Sequence, residues 1–412
     1  MKEERYFTNK YQQKIYFIEG YFDRFKKGFI NYHKKVGMSK EQMVKEENEA
    51  KENKRRLGYN GFLHRHARVA VLKEMLEKYG LRNFKCSLDV GTSHALIPRL
   101  MNAFGIVKKA VGLDIIDRSY QISSKEILRY EKMLKRRHFI NRLARSISLG
   151  KRILFYDHFV STYSEFGFRL NEMSMHPKIA NRNLELDKMI VGDIYDHIGE
   201  YDLITFFCSD NYFDINSLFQ KCSSLLLEKG VLFMYVNSWW DIINHTLLPG
   251  HFPYAVTRLE KDDWIRYCKQ YHSDCFEDML KTYECLENYN LTVSQYIKLA
   301  SDHGLVLVGY DRCIHNAPHS RRSKLSANYI ESFFENSYLS EVLSNIRMFR
   351  DDIRIEDLQT SGFFLVFQKK ENKGRLEINE DFIQKMDQAG LYSGRQLSLK
   401  PMIKKYLNRF RE

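Results

Sequence analysis

Residues 86 to 98 read CSLDVGTSHALIP, and residues 110 to 116 read AVGLDII. In the first stretch an apolar run delivers Asp89 to a cluster of Gly91, Ser93, His94 and Ala95. A strand that ends at Asp89-Val90-Gly91 and enters a helix near His94 sets a tight turn and a helix N-terminus at the edge of a sheet. Small residues at 91, 93 and 95 let a ligand approach the backbone, and the helix N-terminus favours a negatively charged group. Asp114 ends the second stretch about twenty residues on, where a carboxylate accepts hydrogen bonds from both hydroxyls of a ribose. Together the two stretches predict a pocket for a nucleoside.

Groups able to move a proton lie further along. Asp210, His245 and His251 follow two apolar runs, 202–207 and 230–236, which puts them at the same end of the sheet. A histidine or carboxylate titrating near neutrality removes the proton of an acceptor hydroxyl well. Trp239, Trp240, Phe252 and Tyr254 flank these histidines and read as core packing, with a ring-stacking wall as the alternative. His94 reads either as a ligand contact or as a helix-start histidine bonded to the backbone. Arg65 and Arg68, in GFLHRHARVA, supply cations on the helix before the first strand, or are simply solvated. Cys313, His315 and His319 have metal-ligand types, but Pro318 breaks any helix that would align the two histidines, so no metal site is expected. Arg321, Arg322 and Lys324 continue that loop as a basic cluster, for an anionic substrate or for solvent.

The elements that must position these residues follow from periodicity. LDV (88–90), AVGLDI (110–115), MIVGDI (189–194), DLITFF (202–207), GVLFMYV (230–236), LVLVGYD (305–311) and FFLVFQKK (363–370) read as seven strands. The early ones are short, apolar on both faces and separated by helical stretches, which is the pattern of a doubly wound parallel sheet. Gly230, between a helical stretch and a strand, reads as a helix C-terminal glycine. About seventy residues separate the second and third strands and about fifty the sixth and seventh, too long for plain loops, so both insertions are expected to be helical covers. Apolar residues at 11, 15, 18, 22, 25, 29 and 32 predict one amphipathic helix from Thr8 to Lys35, docked on the body of the chain, with an intermolecular helix pair as the alternative. Residues 39–56, almost wholly polar, read as a solvated helix or a linker without chemistry. In the tail, residues 400–412, apolar and basic faces predict an amphipathic helix packed on the body, with an anionic membrane surface as the alternative.

Composition bounds the partners. The chain has 412 residues, 44% hydrophobic, so it buries a sizeable core. Sixty-five Lys plus Arg against 52 Asp plus Glu give a net charge of +13, which favours anions without choosing among them. Seven cysteines without a Cys-x-x-Cys pair argue against a disulfide framework or a zinc ribbon and for a reducing, cytoplasmic setting. No apolar leader or transmembrane run is visible.

With these residues in hand, the pattern resembles the class I S-adenosylmethionine-dependent methyltransferases. Their first motif, Asp/Glu-x-Gly-x-Gly-x-Gly, is matched by Asp89, Gly91, Ser93 and Ala95, and their ribose-binding acid by Asp114. VGDI matches the third landmark, which implies that Asp193 reaches the adenine amino group and that Ile194 flanks the ring. YDLITFFCSDNYFDINSLFQKCSSLLLEKGVLFMYV resembles the fourth and fifth strands, with Cys208 among the cofactor contacts, and SGFFLVFQKK resembles the antiparallel strand that completes the order 3-2-1-4-5-7-6. Arg65 and His94 are implied to serve the methionine carboxylate. The likeness spans roughly residues 60–311 and 361–370, without most of 119–187. Only one motif glycine is kept, yet a dinucleotide dehydrogenase would carry Gly-x-Gly-x-x-Gly at this turn. GTSHALIP is also similar to the first motif of bacterial tRNA adenine-N1 methyltransferases, a match that ends there.

The resemblance implies an α/β fold with a Rossmann-like, mostly parallel seven-stranded sheet. It divides the chain into a helical extension (1–60), a methyltransferase domain (61–370, insertions at about 119–187 and 312–361) and a helical tail (371–412). It implies S-adenosylmethionine as cofactor, without metal, and transfer of a methyl group to an oxygen, or secondarily a nitrogen, of a small-molecule or glycan-type acceptor of anionic character. RNA methylation and non-catalytic cofactor binding are the alternatives. Absence of the Asn/Asp-Pro-Pro-aromatic and Pro-Cys motifs of base methylation lowers the nucleic-acid reading.

Overall fold

A computed structural model describes residues 5–23, 40–147, 184–240, 248, 250–286, 290–314 and 335–370, with backbone alone at 40, 137–147, 211, 311–314 and 361. All seven expected runs are strands: β3 (Phe84–Val90), β4 (Val107–Asp114), β5 (Lys188–Val191), β6 (Tyr201–Phe207), β7 (Leu226–Asn237), β8 (Leu305–Ile314) and β9 (Thr360–Lys369). They form one sheet in the order β5-β4-β3-β6-β7-β9-β8. β5, β4, β3, β6 and β7 pair in parallel, whereas β9 pairs antiparallel with both β7 and β8. Numbered within the sheet this is 3-2-1-4-5-7-6, the Rossmann-like arrangement expected.

Helices cover both faces, because the parallel strands carry apolar residues on both. Leu203 and Phe233 share one core with Phe62, Leu72 and Met75 of α2 (Tyr59–Lys78), while α3 (Leu96–Ala103) supplies Leu96, Leu100 and Met101. The opposite core joins Leu88, Ile204 and Met234 to Leu218 and Phe219 of α5 (Ile215–Leu225) and to Tyr296 and Ile297 of α9 (Val293–Asp302). The long insertion begins with a helix, α4 (Ser124–Ile147); residues 148–183 lie outside the described set.

The N-terminus departs from the expected helix. Tyr6–Thr8 (β1) and Lys14–Tyr16 (β2) form an antiparallel hairpin, and helical geometry begins only at Tyr21. Asn9 Oδ1 accepts the backbone N–H groups of Tyr11 and Gln13, and Gln12 adopts φ 63, so the side chain of Asn9 organises a turn where the helix would have started. Phe7 and Ile15 are buried in a third core with Trp239, Trp240, Phe252, Tyr254, Trp264 and Tyr267. Helices α6 (Ala255–Arg258), α7 (Lys261–Tyr271), α8 (Phe276–Leu286), α10 (Asn336–Ile346) and α11 (Ile355–Leu358) complete this aromatic body. Buried Arg258 fastens it: Nε donates to Asn345 Oδ1 at 2.8 Å and Nη2 to Glu341 at 2.6 Å.

Two smaller expectations are also corrected. Gly230 does not end a helix. α5 stops at Leu225, and residues 226–230 continue as a bulged part of β7, with Lys229 in the left-handed region. The polar stretch 39–56 is a helix, α1 (Lys40–Glu52), but it is docked rather than free. Glu47 accepts from Arg118 Nε at 2.7 Å, from Gln121 Nε2 at 2.8 Å and from Tyr120 Oη at 2.5 Å.

Candidate functional site

The chain leaves β3 through Gly91, whose φ of +69° suits glycine. A Cβ there would stand 2.5 Å from Ser209 Cβ, so the turn is pressed against the end of β6. Both Gly91 and Thr92 donate their N–H groups to Leu113 O, at 2.9 and 3.2 Å, which ties the turn to β4. Ser93 and Ala95 are also left-handed, at φ 54° and 51°, and α3 follows directly.

Asp114 completes this construction. Its Oδ2 accepts the Ser93 N–H at 2.7 Å and its Oδ1 the Ile116 N–H at 3.2 Å. A carboxylate has about four acceptor sites, so lone pairs remain for hydroxyl donors. Gly192 donates its N–H to Asp114 O at 3.0 Å, bringing Asp193 beside it at the end of β5. Asp193 is exposed and accepts the Tyr195 N–H, whereas Ile194 is fully buried in the core. The isoleucine exposed at this edge is Ile115, 40% accessible, which sequence reasoning missed. Its position directly after the strand-ending acid is the signal that could have found it.

Asp89 lies beneath the turn. Its Oδ1 accepts from Thr205 Oγ1 at 2.7 Å, and its Oδ2 has no partner among the described residues. Burial pushes its carboxyl up to about 7. Asp89 thus braces β3 against β6. Nothing in the local sequence marks Thr205 as a partner of Asp89.

Arg65 reaches over from α2 to the same turn: Nη2 lies 3.0 Å from His94 Nδ1 and Nη1 donates to Gly61 O at 3.1 Å. A guanidinium offers only protons, so Nδ1 of His94 is the acceptor and the imidazole proton sits on Nε2. Burial, with Arg65 beside it, pulls His94 down to about 4; burial and the nearby Arg68 lower Arg65 to about 10. His94 is therefore neutral at physiological pH. Ser93 Oγ, 2.8 Å from the same nitrogen, completes the set.

Beyond β6, Cys208 is left-handed at φ 58° and donates its N–H to Tyr235 O at 2.8 Å. Its thiol contacts Asn237 Oδ1 at 3.4 Å and is pushed up by burial to about 11, so it is no nucleophile. Ser209 Oγ donates to Val90 O at 2.9 Å. Asp210 is fully buried; Oδ2 accepts from Tyr296 Oη at 2.9 Å, Oδ1 has no partner among the described residues, and burial pushes the carboxyl up to about 7.

The structure thus gathers Arg65, Asp89, Gly91, Ser93, His94, Asp114, Asp193 and Cys208 along the C-terminal ends of β3, β4, β5 and β6, the edge where open α/β sheets bind ligands. His251 belongs to the aromatic body: its ring stacks on Phe17 and His272, each with centroids 4.8 Å away, and its Nδ1 lies 2.7 Å from Tyr267 Oη. Trp239, Trp240, Phe252 and Tyr254 are buried in that body as core. His245, His315, His319, the cluster 321–324 and the tail 400–412 lie outside the described residues. Among the described residues no His/Cys/Asp/Glu group could hold a metal ion, and no helix is long and apolar enough to cross a membrane.

No protein-family model matches the sequence, and no curated protein matches it. Solved structures do resemble it. The N-methyltransferase NodS from Bradyrhizobium japonicum is 10% identical, with 74% of this chain and 95% of that chain covered and a TM-score of 0.30. The geranyl diphosphate C-methyltransferase from Streptomyces coelicolor is 11% identical, covering 73% and 78%, with a TM-score of 0.33. The cyclopropane synthase MmaA2 from Mycobacterium tuberculosis is 12% identical, covering 73% and 84%, again with a TM-score of 0.33. At such identities and overlaps these neighbours assign no residue, and the fold rests on the strand order described above.

Proposed function

We propose that this chain is a methyltransferase that uses S-adenosylmethionine. One observation carries the reading: the Gly91–Ser93 turn and Asp114 are hydrogen-bonded to each other at the ligand edge of a 3-2-1-4-5-7-6 sheet. The cofactor supplies a methyl group activated on a sulfonium. Asp114 would accept the ribose hydroxyls, Asp193 and Ile115 would face the base, and Arg65, oriented by His94, would hold the methionine carboxylate. Since the sulfonium is already a good leaving group, the protein's main task is alignment of the acceptor with the methyl carbon.

The acceptor atom we favour is oxygen, on a small-molecule or glycan-type substrate. A hydroxyl must lose its proton during transfer, and the unpartnered Oδ1 of Asp210, on a carboxyl titrating near 7, is suited to take it once the short turn at 210–212 admits the acceptor. His251 is engaged by Tyr267 and so is the weaker choice of base.

Calorimetric titration with S-adenosylhomocysteine tests the cofactor, and label transfer from methyl-labelled cofactor tests the acceptor, with total RNA and a small-metabolite extract in separate arms. Saturable binding and label in the metabolite pool are expected. Salt-sensitive label in RNA would replace the acceptor reading. Binding without transfer to either pool would leave a cofactor-binding protein without turnover, and absence of binding would remove the proposal.

A further inference from the structure

Arg65 and Arg68 stand three residues apart on α2, a spacing that puts both on one helical face. Arg65 turns to the β3 side, toward His94. Arg68 turns to the β6 and β7 side: Nη1 lies 3.5 Å from Phe207 O, Nη2 lies 3.7 Å from Cys208 Sγ, and the guanidinium stands 5.5 Å over the ring of Tyr235. Its Nε is buried and has no hydrogen-bond partner. Neither arginine forms an ion pair among the described residues.

Two half-buried guanidiniums side by side without a counter-anion are costly, because each charge is partly stripped of water and repels the other. The repulsion is visible in Arg65, which burial and Arg68 hold below the ordinary arginine range. Asp89, the nearby acid, is fully buried and titrates near 7, so it carries only a partial charge with which to offset them. The contacts that Arg68 does make are a long one to a carbonyl, at the limit of hydrogen-bonding distance, and one to a thiol, a weak acceptor.

The proposed cofactor does not balance this charge. It brings one carboxylate, one ammonium and one sulfonium, a net charge of +1. With its carboxylate paired to Arg65, its ammonium and sulfonium would remain, and Arg68 at the end of β6 would be a third positive charge without a counter-anion. We propose that Arg68 is the anion seat of the acceptor subsite and binds a small oxyanion on the acceptor, a phosphate monoester or a carboxylate, beside the cofactor. This rests on the methyltransferase reading for the word acceptor, but the anion seat itself does not. The planar fork of Arg68, half-buried over the ring of Tyr235, suits an oxyanion that takes two N–H donors at once.

The experiment is calorimetry on the full chain at low ionic strength. S-adenosylhomocysteine is titrated first; inorganic phosphate and, separately, succinate are then titrated into the free and the saturated protein. Wild type should bind at least one of the two anions, and the preferred one tells phosphate ester from carboxylate. Arg68→Met should weaken that anion about tenfold or more, and S-adenosylhomocysteine by less than about twofold; Arg65→Met should reverse the pattern. Arg68→Lys, which keeps the charge and loses the fork, should fall between, and it carries the test if Arg68→Met does not fold. Wild type that binds neither anion overturns the proposal. So does an Arg68→Met variant that loses S-adenosylhomocysteine as Arg65→Met does while keeping the anion. Anion binding lost in Arg68→Met, in a chain that never binds S-adenosylhomocysteine, would keep the seat and remove the methyltransferase reading.

Discussion

The backbone N–H of Ser93 donates to Asp114 Oδ2 at 2.7 Å, so the acid that closes one strand also holds the turn that leaves its neighbour. The ribose contact proposed for Asp114 would therefore share one side chain with local architecture. Asp114→Asn keeps the shape and replaces one acceptor oxygen with an NH2 donor. It should lose about 1–3 kcal/mol of affinity for S-adenosylhomocysteine by calorimetry, the range for hydrogen bonds to a charged group or for a buried polar atom left unmatched. Unchanged affinity would place the ribose elsewhere.

Gly91→Ala meets two obstacles at once, the left-handed backbone and the Cβ of Ser209 2.5 Å away. We expect a loss of more than about 1 kcal/mol of stability in denaturant titration. Ser209→Gly in the same chain removes the steric part and should restore some of that loss, whereas the backbone cost stays. No recovery in the double variant would mean that the φ angle alone matters.

Burial sets opposite pH dependences on two groups. Asp210 is raised from 3.8 to about 7, so the folded chain keeps a proton that the unfolded chain gives up. Its contribution to stability is present below about pH 4 and is lost as pH rises through 7. His94 is lowered from 6.5 to about 4, so the unfolded chain binds the proton first and this contribution to stability grows as pH rises from about 4 to 6.5. Denaturant curves of wild type minus Asp210→Asn should decline with rising pH by up to about 1.4 kcal/mol per unit. The His94 imidazole, followed by NMR, should stay neutral at pH 6. A flat difference curve, or an imidazole titrating at its ordinary value, contradicts the burial described.

Glu47 is the polar anchor of α1, with partners at Arg118, Tyr120 and Gln121. Glu47→Ala should expose residues 40–57 to amide exchange while the exchange of β3, β4 and β6 stays slow. The expected loss of global stability is about 1–3 kcal/mol, since partly buried donors lose a charged acceptor. Exchange at 40–57 that matches wild type would mean that Ala50 and Leu57 hold the helix alone.

The sheet was legible because its signal is local and redundant. Runs such as LITFF and VLFMYV are apolar on both faces, and Asp89 and Asp114 mark the ends of two strands that precede them. The N-terminal hairpin was not legible for the opposite reason. Tyr11, Ile15, Ile18 and Phe22 fit the helical period, but the deciding contacts come from distant chain: Lys10 N–H to Asp263 Oδ2, Ile18 N–H to His251 O, and the ring of Phe7 against Tyr267. Tertiary packing overrode a period that Asn9 had already interrupted. In the site, Asp89, Gly91 and Asp114 announce themselves by spacing. Thr205, Ser209 and Glu47 are ordinary residues locally and gain meaning only through the partners that the fold brings to them.

β9 lies between β7 and β8, although it is the last of the three to leave the ribosome. A nascent chain that has made β8 has two open edges facing a gap, and β7 holds seven residues, Val231 to Asn237, whose partners in β9 do not yet exist. Such edges invite pairing with other chains. Synthesis that stops before Thr360 would therefore yield a sticky product rather than a smaller working one, and β9 acts as the seal on the two edges it joins.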